Sequence, residues 1–168
     1  TSDDRSTRRS LRYTGSFALD GRDVGSADQK LIVAAETERE TYRSSYNPGG
    51  TYERDTHALA LEYQGRFADG VSVQAGVRRE FNDVFRDATS WNLAAAWQVP
   101  GQDLRLRAAA GRAHVNPTMF QQYGYVPGVW EGNPDLKPAR SMNYELGADL
   151  GFAGGRGLAS FAVFQSKI

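Results

Sequence analysis

Residues able to make a binding site crowd one stretch of this chain. Between 114 and 131 lie Met119, Phe120, Gln121, Gln122, Tyr123, Tyr125, Val126 and Trp130, with Arg112 and His114 at the root. Flat aromatic faces beside amide donors suit a large, partly apolar ligand that a few polar groups then orient. Arg112 could pair with an anionic group on such a ligand. An alternative stays open, in which the same aromatics only pack the stretch against neighbouring loops. A second stretch, YNPGGTYERD, adds Tyr46, Tyr52 and Arg54.

Catalytic chemistry finds no comparable support. His57 and His114 are far apart, and neither has a metal-ligand partner at a useful spacing. Both are expected to be solvated or to face a wet interior. Motifs of the G-x-S-x-G, P-loop, G-x-G-x-x-G and H-E-x-x-H types are absent. Asp3 and Asp4 fall on a polar tail. Glu36, Glu38 and Glu40 fall on one strand face, with Arg39 and Arg43 near them, and read as a solvated strand with no apolar pocket to raise a pKa. The reading is a binding protein without a catalytic, metal or cofactor site.

The elements that position these residues are strands. Trp91, Leu93, Ala95, Trp97 and Val99 alternate with Asn92, Ala94, Ala96 and Gln98; the windows 59–67, 71–78 and 142–152 alternate in the same way. Period-two alternation puts one set of side chains on each face of a strand. The pattern predicts eight strands, near 10–20, 29–44, 55–68, 71–82, 89–99, 103–113, 141–151 and 157–167. Short Gly-rich turns (Asp69-Gly70, Pro100-Gly101-Gln102, Gly154-Gly155-Arg156) and a polar one over 20–28 alternate with the connections 44–54, 82–89 and 114–140. The fold class is therefore all-β, an antiparallel up-and-down meander with short turns at one end and a long surface loop, 114–140, at the other.

Twenty acidic and twenty basic residues among 168 cancel, which gives no field to attract nucleic acid. The absence of cysteine excludes disulfides. The polar, basic N-terminus TSDDRSTRRS is not a signal peptide. No apolar run reaches the length of a membrane helix, so membrane crossing remains possible only through strands. Two features favour a transmembrane barrel. One face carries Glu62, Arg66, Arg105, Arg107, Glu145 and Asp149 among small residues, as a hydrated lumen allows. Tyr13, Phe67, Phe81, Trp91, Trp97 and Phe152 sit near strand ends, where interfacial girdles form. A soluble β-sandwich with those aromatics in its core is the alternative.

The segment RAAAGRAHVNPTMFQQYGYVPGVWEGNPDLKPARSMNYELG, 107–147, resembles a recurring stretch of TonB-dependent outer-membrane receptors. Pro117, Tyr123 and Gly124 match its first part. Gly132, Asn133, Pro134, Leu136, Pro138 and Ser141 match a G-N-P-x-L-x-P-E-x-S motif, with Ala139 where Glu is usual. Tyr144, Glu145, Leu146 and Gly147 match the following strand. Weaker likeness covers the remainder of 29–168, and the order of the pieces is most similar to receptors for cobalamin and iron–siderophore chelates. Physically, Pro134 and Pro138 fix φ and remove two donors, so this motif is a stiff descent into a strand rather than a ligand site.

The resemblance implies an outer-membrane protein of a Gram-negative bacterium that takes up a metal chelate. It also implies an N-terminal plug domain, contact with TonB through the region before the plug, and a lipid-embedded barrel of about 22 strands. On that reading residues 1–168 form part of the barrel wall without the plug, and the remaining strands are partners. A stand-alone eight-stranded barrel with a structural or adhesive role is the other membrane reading.

Overall fold

The computed structural model describes residues 4–46 and 50–168; Asp3 and positions 47–49 of the second stretch lie outside them. Eight long strands form one antiparallel sheet: β1 (Asp4–Ala18), β2 (Gln29–Ser44), β3 (Thr51–Arg66), β4 (Val71–Asn82), β5 (Ala88–Gln98), β6 (Leu104–Val115), β9 (Ala139–Phe152) and β10 (Gly157–Lys167). Between β6 and β9 lie a one-turn helix, α1 (Met119–Tyr123), and a minimal hairpin, β7 (Tyr125–Val126) with β8 (Trp130–Glu131). The sheet order is β1-β2-β3-β4-β5-β6-β9-β10, so each long strand pairs with the next long strand in the chain, and β1 and β10 are its edges. There is no second packed sheet among the described residues, as a sandwich would require.

Two boundaries differ from expectation for a common reason. Strand β1 begins at Asp4 rather than near 10, and β3 at Thr51 rather than 55. The added segments are polar on both faces and give no alternation signal. They are held by partners instead: β1 pairs with β2 from Asp4↔Ser44 to Ala18↔Lys30, and β2 with β3 as far as Arg43↔Thr51. The long loop shortens to 116–138, because β6 continues through Val115 and β9 starts at Ala139. At the other end Asp69 (φ 61°) and Gly70 (φ 77°) supply the left-handed pair that a tight hairpin turn needs. Gly70 passes so close to the Gln98 carbonyl that a Cβ there would lie 2.6 Å from its oxygen.

The two faces of the sheet are chemically opposite. One carries exposed apolar side chains, among them Leu11 (73% exposed), Leu59 (58%) and Leu146 (66%). On β3 this apolar run extends from Leu59 to Phe67, roughly 26 Å along the strand. A tilt of about 40° makes it a band roughly 20 Å tall, close to the belt of an outer-membrane barrel. Phe17, Phe67, Trp97 and Phe152 stand at its turn end, Tyr13 and Phe81 at its loop end. The other face is polar and concave. It lines a cavity of about 510 Å³ with Lys30, Gln64, Gln74, Arg105, Arg107 and Glu145, and the long loop folds over its upper part. Exposed apolar residues outside and a polar concavity inside invert the soluble pattern, as a wall around a wet lumen does.

Candidate functional site

The long loop is pinned to the concave face through a buried arginine. Arg54, on β3, has a side chain only 5% exposed. Its guanidinium is gripped by the Glu40 carboxylate of β2, with Nε at 2.9 Å from Oε2 and Nη2 on the same oxygen. The remaining nitrogen, Nη1, donates to the Pro117 carbonyl at 2.8 Å and to Gln122 Oε1 at 3.5 Å. The Phe85 ring lies under the guanidinium at 5.5 Å. Gln122, 1% exposed, completes the clasp by donating its Nε2 to the Pro134 carbonyl at 3.3 Å. One cation thus ties both limbs of the loop to β2 and β3.

Local chemistry shapes the loop above this clasp. Thr118 caps α1, accepting from the Gln121 amide at 3.2 Å while Gln121 Oε1 accepts from the Thr118 amide at 2.9 Å. The T-x-x-Q signature of this capping box is present in the sequence, but a single turn is too short for helical periodicity to disclose. Asn133 Oδ1 accepts from the Asp135 amide at 2.9 Å, and the Leu136 amide closes a turn on the Asn133 carbonyl at 3.2 Å. Gly132 is required by close approach: a Cβ there would lie 2.7 Å from the Gln122 carbonyl carbon. The GNP motif is thereby the strap that lets the returning chain run beside α1.

The expected site residues separate into groups. Tyr123 stacks on Tyr52 (centroids 3.9 Å, planes at 8°), and Tyr125 meets Tyr46 edge-on at 6.2 Å. Trp130 lies parallel to Phe120 at 6.0 Å. The Trp130, Phe120 and Tyr125 rings remain 37–43% exposed, so the loop presents aromatic surface. Gln121 is exposed and engaged in the cap, whereas Gln122 is buried in the clasp. Arg112 lies elsewhere: its register with Trp91 and Met142 places it on the outer face, away from these rings.

His114 joins the lumen side. Its Nε2 is 3.1 Å from Glu80 Oε1 and its Nδ1 2.9 Å from Ser90 Oγ, while Asn116 also donates to Glu80 at 2.8 Å. Alternation counted from Arg107 would turn His114 outward, yet both ring nitrogens meet lumen-side groups, at a height where the ladder between β5 and β6 has already ended at Trp91↔Arg112. His57 is exposed on the outer face. Among the family-motif residues, Tyr144 faces outward and is half exposed, Glu145 pairs with Arg107, and Gly147 sits opposite Arg107 in the ladder. Leu136 and Pro138 are half-buried at the descent into β9.

The acidic face of β2 corrects one expectation. Glu36, Glu38 and Glu40 do share a face, but Arg39 and Arg43 lie on the other one, where Arg39 pairs with Asp55 at 2.6 Å. The glutamates are met by arginines from other strands: Glu36 by Arg12 and Arg78, Glu38 by Arg8, and Glu40 by Arg8 and Arg54. Glu40, which stands beyond the loop end of the apolar band, is not solvated, because the loop covers it. Burial pushes the Glu40 carboxyl up, but hydrogen bonds and charge from Arg8 and Arg54 outweigh it and hold the group below the usual carboxylate range. The folded state therefore binds fewer protons than the unfolded one at this carboxyl. Its contribution is complete above the ordinary glutamate range, near pH 4.3, and is lost as pH falls through the lowered folded value. Cleavage of the loop by an acid-active protease is expected to stay slow down to about pH 4 and to accelerate below it. A rate flat through that window would show that Glu40 does not hold the loop.

Several known proteins resemble this chain in sequence or in fold. Residues 1–168 match the family described as TonB dependent receptor-like, beta-barrel. The vitamin B12 transporter BtuB of Photobacterium profundum is 34% identical over 113 residues, which is 64% of this chain and 17% of that protein. Among solved structures, the siderophore receptor PirA of Pseudomonas aeruginosa superposes with a TM-score of 0.75 at 22% identity, over 96% of this chain and 32% of that one. A variant of the ferric enterobactin receptor PfeA from the same organism gives 0.73 at 21% identity, over 96% and 27%. This chain spans about a sixth to a third of these relatives' lengths. The meander of this chain is a fold that these solved structures share, and the chain belongs to the TonB-dependent receptor-like β-barrel family.

Proposed function

We propose that this chain is a length of the barrel wall of an outer-membrane receptor in a Gram-negative bacterium, and that its 116–138 loop contacts a metal chelate of the siderophore or cobalamin class. One observation carries the reading: Arg54 fastens the loop over the lumen while Tyr125, Phe120 and Trp130 stay exposed on it. Preset aromatic faces bind a large chelate at lower entropic cost than a loose loop would. A variant of PfeA has been crystallised in complex with enterobactin, and BtuB is a vitamin B12 transporter, which supports this ligand class. Tyr123 and Trp130 are assigned to the contact surface, with Tyr125 and Gln121 beside them; His114 and Gln122 set the loop's position. In the whole receptor a plug domain fills the concave face, and TonB, engaging the region before the plug, drives release inward. The unpaired edges β1 and β10 favour a segment of a larger wall over an eight-stranded barrel closed on itself.

In the intact receptor, Tyr123→Ala combined with Trp130→Ala is expected to weaken equilibrium binding of ferric enterobactin or cobalamin about tenfold, since each ring contributes about 0.5–1.5 kcal/mol. Unchanged affinity for both ligands would retire the loop as a binding surface.

A further inference from the structure

An aromatic residue outside the expected site completes the fastening of the long loop. On the concave face Arg8, Glu40 and Arg54 stand in one row across β1, β2 and β3. Strand β4 adds nothing to that row, because its ladder with β3 stops at Thr56↔Asn82. Phe85, from the 82–88 connection between β4 and β5, takes the place beside Arg54 instead. The hydrogen bonds of Arg54 all leave through the edge of its guanidinium, Nε and Nη2 to Glu40 and Nη1 to Pro117 and Gln122. The flat face of a guanidinium cannot hydrogen-bond. It is there that the Phe85 ring lies, its centroid 5.5 Å from Cζ.

The connection's own chemistry holds the ring in place. Asn82 Oδ1 accepts from the Val84 and Phe85 amides at 2.9 and 2.8 Å, while its Nδ2 donates to Thr56 Oγ1 on β3 at 2.8 Å. Asp83 Oδ1 accepts from the Asp55 amide at 3.0 Å, and Arg79 reaches Asp87 at 2.9 Å. Of the two apolar residues at the tip, Val84 is left 44% exposed, whereas Phe85 turns inward and is half-buried. We propose that Phe85 is a positioning residue for the long loop: its ring holds the Arg54 guanidinium in the orientation that reaches Pro117. The 82–88 connection and the 116–138 loop then open and close as one unit. An aromatic face attracts a cation through its quadrupole, and more strongly where water is excluded, as it is around Arg54. Packing alone would accept any apolar side chain of similar size, but this contact requires an electron-rich ring. The proposal concerns how the loop is held and is independent of the ligand the loop meets.

The test uses the intact receptor in detergent micelles and reads hydrogen exchange of the 117–134 amides. Phe85→Leu is expected to quicken that exchange roughly tenfold. A trifluorinated phenylalanine at position 85 fills nearly the same space but withdraws electrons from the ring, and should quicken exchange almost as much. Neither change should have any further effect once Arg54→Ala is present. Because coupling is reciprocal, Arg54→Ala should quicken exchange of the Val84 and Phe85 amides by the same roughly tenfold factor. Heat-modifiable electrophoretic mobility reports whether each barrel is folded, and the fluorinated ring decides the matter if the Leu variant is not. Wild-type exchange in the fluorinated receptor would overturn the proposal, since the ring would then act only by filling space. So would a Phe85→Leu effect that persists undiminished beside Arg54→Ala, or Val84 and Phe85 amides that do not respond to that change.

Discussion

Arg54→Ala in the intact receptor is expected to free the 116–138 loop from the wall, at a cost of about 3–5 kcal/mol to the docked state. The size follows from what remains behind. Glu40 would keep Arg8, but Arg8 is 63% exposed and bonds only one of the two carboxylate oxygens. The other oxygen would lie under the loop with no partner, as would the Pro117 carbonyl that Arg54 now satisfies. The loop would escape that penalty by lifting, which lets water reach both groups. Hydrogen exchange of the 117–134 amides should therefore quicken by a factor of roughly a hundred or more, while the β3 and β4 ladders keep their protection. The paired change Glu40→Leu with Arg54→Met removes both charges and should restore part of the protection, since apolar replacement of a buried pair is often neutral. Exchange unchanged in Arg54→Ala would mean that the aromatic stacks hold the loop unaided.

The second large effect separates the two faces of one strand. Leu61 lies in the outer apolar band and Ala60, its neighbour, on the concave side. Arginine at a lipid-facing position near the bilayer midplane costs about 2–4 kcal/mol in a barrel, whereas a lumen position tolerates it. Leu61→Arg is thus expected to destabilise the receptor by about 3 kcal/mol in urea titrations from lipid vesicles, and Ala60→Arg by under about 1 kcal/mol. Equal costs at both positions would contradict the assignment of faces. Inverted costs would place the polar face toward lipid.

Much of the architecture is legible in the residues. Alternation at 59–67, 71–78, 91–99 and 142–152 marks the strands because each has one apolar and one polar face, which forces strict parity. Parity fails where neither face is apolar. The polar starts of β1 and β3 escape detection for that reason, and only cross-strand pairing holds them straight. The GNPDLKP run reveals its family and its stiffness in one dimension because proline and glycine act on the local backbone.

What a line of residues cannot carry is which charges meet. Glu40 and Arg54 are 14 residues apart and Arg54 and Gln122 are 68 apart, yet together they form the clasp. Arg39 and Arg43, near the glutamates in sequence, are placed by the pleat on the opposite face. Arg112 and His114, two positions apart near the same strand tip, part company: the first stands opposite Trp91 on the outer face, the second meets Glu80 and Ser90 on the lumen side. Strands, opposed faces and family are written into the order of the residues, since they follow from local backbone chemistry and from the solvent each face meets. The pinned loop and the stacked rings exist only once the sheet has formed, because register and curvature choose the partners of side chains that are distant along the chain.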